Sequence, residues 1–324
     1  MSKINVISEE NYAEIMLEKV EPALENAREC GYFDSYSGGK IFYNYYKCEN
    51  ARAGIVICHG FTECSEKFNE MAYYYLQNGY NVFSLDHRGH GKSLRENDDF
   101  ETVAIHYFDD YVKDLRRFMA LIVGPTNGNL PCYLYAHSMG GAIAVRYLQE
   151  YRCDGFDKCV LTAPMISCNT NGLPHFVAGT LCGILSFFGQ GKKAVPGLSG
   201  FDENKDWTKS NATSKARFDY WHAKRKKNPE YQTSRASSKW IVEALKIIPL
   251  MTAKHNCTKI SIPVLLCQAE EDGSVIPEMH NVFIDKVNGG KIVKFDGSRH
   301  EIYLSPTNVV QKYIDTIFDF LDEE

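Results

Sequence analysis

Long apolar runs are missing from this sequence. The most apolar stretch, FVAGTLCGILSFF (176–188), has 13 residues, well short of the roughly 20 that a helix needs to cross a bilayer. An excess of positive charge is missing too. The 36 Lys and Arg stand against 41 Asp and Glu, a formal net charge of −5. That leaves no basic field to gather a nucleic-acid backbone, and no nucleic-acid-binding motif occurs, so nucleic acid is not an expected partner. None of the eleven cysteines forms a C-x-x-C pair, and Cys58, Cys132 and Cys267 lie inside apolar runs. Scattered thiols, odd in number, argue against a disulfide or zinc framework and for reduced, buried cysteines in the cytoplasm. The opening residues MSKINVISEENYAEIMLEKVEP mix charges throughout and lack the apolar core of a secretory signal. A phosphate-cradling G-x-x-x-x-G-K-[ST] is also absent, and no cofactor or metal is expected.

What is present is an alternation. Near-continuous apolar runs stand at 40–48, 54–60, 81–86, 131–137, 158–164, 263–269 and 291–297, as strands covered on both faces require. Helix-like patterns lie between or after them at 65–78, 108–123, 139–151, 277–287 and 306–321. Alternation at this spacing predicts βαβ units and an α/β fold with a doubly wound, mostly parallel sheet. Between Pro164 and Pro263 the rhythm stops. A structureless loop of that length is foreign to compact domains, so the stretch reads as an inserted, mainly helical cap. The expected organisation is a core in two parts, 1–164 and 258–324, with the cap at 165–257.

The stretch YLYAHSMGGAIAVRYL (133–148) begins as a strand, turns at Ser138 and leaves as a helix. AHSMGG matches G-x-S-x-G with Ala136 at the first glycine and Gly140 at the second. In such an elbow the hydroxyl rises above the sheet edge beside the first N–H groups of the helix, and crowding admits only small flanking residues. An ordinary helix N-cap would also place a serine there. The remainder of the pattern favours the elbow. A serine hydroxyl needs a histidine to accept its proton, and the histidine needs a carboxylate to orient it. Both should follow in the chain at strand ends, acid first. PVLLCQAEEDGSVIP ends a strand in Glu270, Glu271 and Asp272, and KIVKFDGSRHEIYL ends one in a turn carrying His300. Asp272 lies furthest into its loop; Glu270, Glu271 and Asp296 stay open as alternatives. Backbone donors for an oxyanion are expected from Met139, directly after the serine, and Phe61, in the loop leaving GIVICHG. His59 reads as a hydrogen-bonded structural residue.

These residues resemble the serine hydrolases of the α/β-hydrolase fold, within them the lysophospholipase and monoacylglycerol lipase group. The similarity rests on HGFTECSEKF (59–68), DHRGHGKS (86–93), AHSMGG (136–141), LTAP (161–164), Asp272 followed by Val275, and GSRHE (297–301). It covers nearly the whole chain. The cap stretch 211–245 is similar, more loosely, to bacterial lysophospholipases. The resemblance implies Ser138 as nucleophile, His300 as base and acid, Asp272 as its orienter, and Phe61 and Met139 as oxyanion donors. It implies a structural role for DHRGHGKS, with Asp86 and Arg88 able to pair, and leaves the His87 and His90 pair without a metal.

A small-molecule lipid or ester substrate follows from this reading. The run 176–188 would suit an acyl channel or a face that dips into a membrane, and the basic run KARFDYWHAKRKKN (215–228) an anionic surface; each could equally be packed or solvated cap. The protein is expected in the cytoplasm, with at most peripheral membrane contact. A general carboxylesterase, a thioesterase or an exopeptidase would use the same machinery. An exopeptidase would need a cap acid such as Glu230 or Glu243 for the substrate's amino terminus. A lipid-binding protein that had lost catalysis should lack a member of the set, and none is lacking.

Overall fold

In the computed structural model, residues 4–170 and 172–323 are described; the first three residues of the N-terminal stretch, Asn171 and Glu324 lie outside that range. Ten strands run in chain order: β1 Arg28–Asp34, β2 Lys40–Tyr46, β3 Ala53–Cys58, β4 Tyr80–Leu85, β5 Thr102–Val103, β6 Cys132–His137, β7 Lys158–Thr162, β8 Arg235–Ala236, β9 Val264–Ala269 and β10 Lys291–Phe295. Eight form one sheet in the order β1-β2-β4-β3-β6-β7-β9-β10. β1 and β2 pair antiparallel, as do β2 and β4, and all later neighbours run parallel. This is the doubly wound, mostly parallel α/β sheet expected from the alternation.

Period-two alternation within the buried strands divides the interior into two cores. Val56 and Cys58 of β3 face one, with Leu134 and Ala136 of β6 and the helices Asp109–Phe118 and Met139–Glu150. Ile55 and Ile57 face the other, with Tyr135, Leu265 and the helices Asn69–Gln77 and Thr307–Asp322. β1 has no apolar run to announce it. Its sequence RECGYFD lies at the sheet edge with only Phe33 buried, and an edge strand half in solvent needs no continuous hydrophobic signal.

From Thr162 to Val264 the chain adds nothing to the main sheet. It forms helices His175–Leu185, Lys215–Lys227 and Ser238–Thr252, the last two capped by Ser214 and Ser237, whose hydroxyls accept from Arg217 N and Trp240 N. β8 pairs with β5 in a short parallel ribbon. Two contacts anchor this region. Trp240, Ala244, Ile247 and Met251 enter the first core. Arg217, fully buried, clasps Glu70 at 2.9 and 3.1 Å and donates to the carbonyls of Ile7 and Ser305. Removing one partner of such a buried pair typically costs about 3–5 kcal/mol.

One expected pairing is not made. Asp86 accepts from Ser65 N, Ser65 Oγ and Lys92 N at 2.7–2.9 Å. Arg88 turns instead to Asp114 at 2.7 Å and Glu96 at 3.0 Å. The chain turns tightly at the glycines after Asp86 (Gly89 φ 77°, Gly91 φ 50°), and the two side chains take separate sets of partners. All eleven cysteines are free thiols, and among the described residues no helix is long and apolar enough to cross a membrane.

Candidate active site

Ser138 stands between β6 and the helix Met139–Glu150 with φ 52° and ψ −118°, a left-handed conformation that costs a non-glycine residue energy and persists only where the surroundings enforce it. They do so here by crowding. A Cβ on Gly140 would collide with the Cys58 carbonyl and come within 2.6 Å of the His59 carbonyl, and one on Gly141 would meet Pro164 at 2.6 Å. The turn tolerates Ala136 at the first small position, where its methyl is fully buried. Ser138 N donates to Thr162 O at 3.1 Å, and Ser138 O accepts from Met165 N at 2.9 Å.

The hydroxyl Oγ lies 2.8 Å from His300 Nε2, and His300 Nδ1 lies 2.7 Å from Asp272 Oδ2. The other oxygen, Asp272 Oδ1, accepts from Ser274 N at 2.9 Å and Val275 N at 3.0 Å. Burial of the Asp272 carboxyl would raise its pKa. The hydrogen bond and charge of His300 and the two backbone N–H groups outweigh that and hold it below the usual carboxylate range. With Asp272 ionised, Nδ1 carries the ring proton of neutral His300, and Nε2 is free to accept from the serine. The other acids stay away from the ring. Glu270 accepts from Gly297 N, Glu271 stands exposed 3.9 Å from Arg299, and Asp296 is exposed.

The loop from β3 supplies the opposite wall. Its Phe61 packs on Trp240 with ring centroids 4.2 Å apart. The N–H groups of Phe61 and Met139 find no acceptor among the described residues. His59 is structural: Nδ1–H donates to Gly60 O at 2.8 Å, and Nε2 accepts from His87 N at 2.9 Å.

Sequence reasoning missed Glu63. This buried carboxylate accepts from Gly60 N at 2.6 Å, Lys67 Nζ at 2.7 Å and Tyr303 Oη at 2.6 Å. Lys67 in turn holds Glu301, the neighbour of His300, at 2.7 Å. Burial pushes up the Glu63 pKa, but the charge and hydrogen bond of Lys67 and the hydrogen bond from Tyr303 prevail and keep it well below the usual range. His137, its ring 4.8 Å from that of His300, is pushed down to about 4 by burial and stays neutral. Glu63 thus locks the loop that carries Phe61. The signal was a lone acid three residues past Gly60. In Glu63→Gln the amide NH2 faces one of three converging donors, so kcat is expected to fall about tenfold to hundredfold, toward the loss of one oxyanion donor, with KM little changed. Steady-state kinetics on a soluble ester checks it; an unchanged kcat would contradict this account of the loop.

The sheet order and the elbow define the class: this is an α/β-hydrolase. The chain belongs to the family described as serine aminopeptidase, S33, which matches residues 49–307. Similar curated proteins include lysophospholipase L2 of Escherichia coli (strain K12), 28% identical over 288 residues, 83% of this chain and 80% of that one. Monoglyceride lipase of Homo sapiens is 31% identical over 140 residues, 43% of this chain and 44% of that one. Among solved structures, a soluble variant of monoglyceride lipase from Saccharomyces cerevisiae shares the fold with TM-score 0.73 at 20% identity, covering 91% of this chain and 95% of that one.

Proposed function

We propose that this protein hydrolyses the carboxylic esters of monoacyl lipids, lysophospholipids or monoacylglycerols, through an acyl-enzyme on Ser138. Ser138 Oγ attacks the ester carbonyl as His300 Nε2 takes its proton. The oxyanion that forms accepts from the N–H groups of Phe61 and Met139. Collapse expels the alcohol, which receives the proton from His300, and a water activated by the same nitrogen releases the fatty acid. Asp272 holds the ring and balances its transient charge.

The observation that carries the reading is the continuous hydrogen-bonded chain Ser138–His300–Asp272 at the strand ends, in a protein whose relatives include a lysophospholipase and a monoglyceride lipase. The lipid part is supported by the helix His175–Leu185 and the turn after it. Phe176, Phe187 and Phe188 are 76%, 86% and 72% exposed there, beside exposed Leu181 and Ile184. Moving a large apolar side chain out of water yields about 1.5–3 kcal/mol, enough for several together to give reversible contact with a membrane surface. Residues 165–257 form the cap in this proposal, with the helix Ser238–Thr252 as its base on the core formed by 1–164 and 258–324.

The family description raises a peptidase reading, which needs a free acid for the substrate's ammonium. Of the two candidate acids, Glu243 does not offer one: Lys239 and Lys246 hold it at 2.9 and 2.7 Å; Glu230 is left to the test. The test compares a long-chain monoacylglycerol, a lysophospholipid of the same chain, a short-chain ester and an aminoacyl amide. Clear preference for the long-chain lipids is expected. With substrate in vesicles, Phe187→Ser/Phe188→Ser is expected to lower the rate several-fold. Turnover confined to the short ester or the amide would overturn the lipid reading.

A further inference from the structure

On the serine hydrolase reading above, His300 must be aimed at two partners at once, with Nε2 on Ser138 and Nδ1 on Asp272. Ser138 is fixed by its elbow. Asp272 is fixed by the N–H groups of its own turn, and that turn is braced from outside: Ile276 N donates to Ser167 O and Asn169 N to Ser274 O, both at 2.9 Å. His300 sits in an irregular turn between β10 and the short helical turn Ile302–Leu304. The core holds this turn through Glu270 Oε2, which accepts from Gly297 N at 2.7 Å, and through Lys67, which holds Glu301 at 2.7 Å.

A second set of contacts comes from a segment remote in sequence, Thr208–Ser214, within the cap as proposed above. Arg299 Nη1 donates to Thr208 O at 2.7 Å and to Ser210 O at 3.2 Å. Glu301 N donates to Asn211 O at 3.1 Å. Thr213 Oγ1 donates to Gly297 O at 3.0 Å, and Ser214 N to Leu304 O at 2.9 Å. The residues directly before and after His300 are therefore both tied to the cap, and the ties run from Gly297 to Leu304. The segment itself is held. Asp206 accepts from Thr208 N at 3.0 Å, Ala212 is buried in the second core, and Ser214 caps the helix that Arg217 pins to Glu70. A segment fixed in this way, bonded along a turn without regular structure, sets where that turn sits. Arg299 is the side chain given over to the joint: it is half-buried, Glu271 comes no nearer to its Nε than 3.9 Å, and its close bonds go to the two cap carbonyls.

We propose that Arg299 is a positioning residue for His300: through Thr208 and Ser210 it locks the histidine's turn to the cap, so that the cap sets the aim of the catalytic base as well as covering the site. Displacing a catalytic group by about 1 Å can cost about a hundredfold in rate, and His300 Nε2 must stay within about 2.6–3.2 Å of the serine hydroxyl to take its proton. The bonds of Arg299 go to the cap and not to the triad. Its loss acts through His300, which lowers kcat and leaves substrate binding as it was.

The test measures kcat and KM on a soluble short-chain ester, per active site titrated with a fluorophosphonate, so that misfolded protein does not count. Arg299→Met, which keeps the length of the side chain and removes its donors, is expected to lower kcat about tenfold to hundredfold with KM little changed. Both cap bonds leave a single nitrogen, so a lysine ammonium can stand in for it, and Arg299→Lys is expected to recover most of the loss. Thr213→Val removes the tie to Gly297 with little change of shape; it should lower kcat in the same sense by a smaller factor, and it decides if Arg299→Met does not fold. An unchanged kcat in the deciding variant overturns the positioning role. So does a loss that Arg299→Lys fails to recover, or a rise in KM with kcat intact, which would place Arg299 in substrate binding. The readings it rests on fail separately. A Ser138→Ala variant that stays active removes the triad and this role with it, whereas a wild type that cleaves only the short ester overturns the lipid reading and leaves the role of Arg299 standing.

Discussion

Ser138→Ala is expected to lower kcat for ester hydrolysis by about a millionfold, the scale on which removal of a triad serine acts. The geometry says why so little should remain. Among the described residues, Oγ is the nucleophilic atom within 2.8 Å of His300 Nε2, and water admitted in its place would lack the fixed orientation that makes the attack intramolecular. The backbone would survive: alanine keeps Cβ, and the elbow is enforced by Gly140 and Gly141 against β3 and Pro164. Kinetics on a chromogenic ester, with labelling of the wild type but not the variant by a fluorophosphonate, checks both halves. Appreciable activity in the variant would remove Ser138 from the mechanism.

Asp272→Asn is expected to cost about ten-thousandfold, with the fold intact, for a reason legible in its hydrogen bonds. Oδ1 is occupied by the N–H groups of Ser274 and Val275, so an asparagine keeps its carbonyl oxygen there. Its NH2 must then point at His300 Nδ1. That nitrogen becomes the acceptor, the ring proton moves to Nε2, and Nε2 no longer accepts from Ser138. The pH dependence carries a second check. Asp272 is held below the usual carboxylate range, so its own protonation should not limit the wild-type rate until the pH falls below that range. The sign for stability agrees: a carboxyl lowered on folding stabilises above its unfolded value of about 3.9, and that contribution is lost as pH falls through the folded value. A step in kcat/KM from a carboxyl titrating within or above the usual carboxylate range, present in the wild type and absent from Asp272→Asn, would contradict this.

Much of this was visible before any coordinates. Seven of the eight main-sheet strands were legible, the inner parallel ones because burial on both faces leaves unbroken apolar runs such as GIVICHG and PVLLCQA. β1 was not, since RECGYFD, an edge strand with one buried side chain, lacks the apolar β-branched residues that marked the other edge strand, β10. Ser138, Asp272 and His300 stood out because each ends a strand in the right order. Glu63 did not, because its neighbours in the site, Tyr303 and His137, are separated from it by 240 and 74 positions. The pairing of Asp86 with Arg88 failed because Arg88 turns to Asp114, 26 positions on, and to Glu96, eight positions on, and nothing in the local sequence ranks these above Asp86.

The sequence by itself determined the alternation, and with it the sheet, the elbow and the residue types that meet above it, because periodicity, small flanking residues and strand-end position are local properties of a chain. Only the tertiary structure decided which of four acids reaches His300 and which carboxylate holds the loop that carries Phe61. Those depend on distances between residues remote in sequence, where a shift of one or two ångströms separates a hydrogen bond from none.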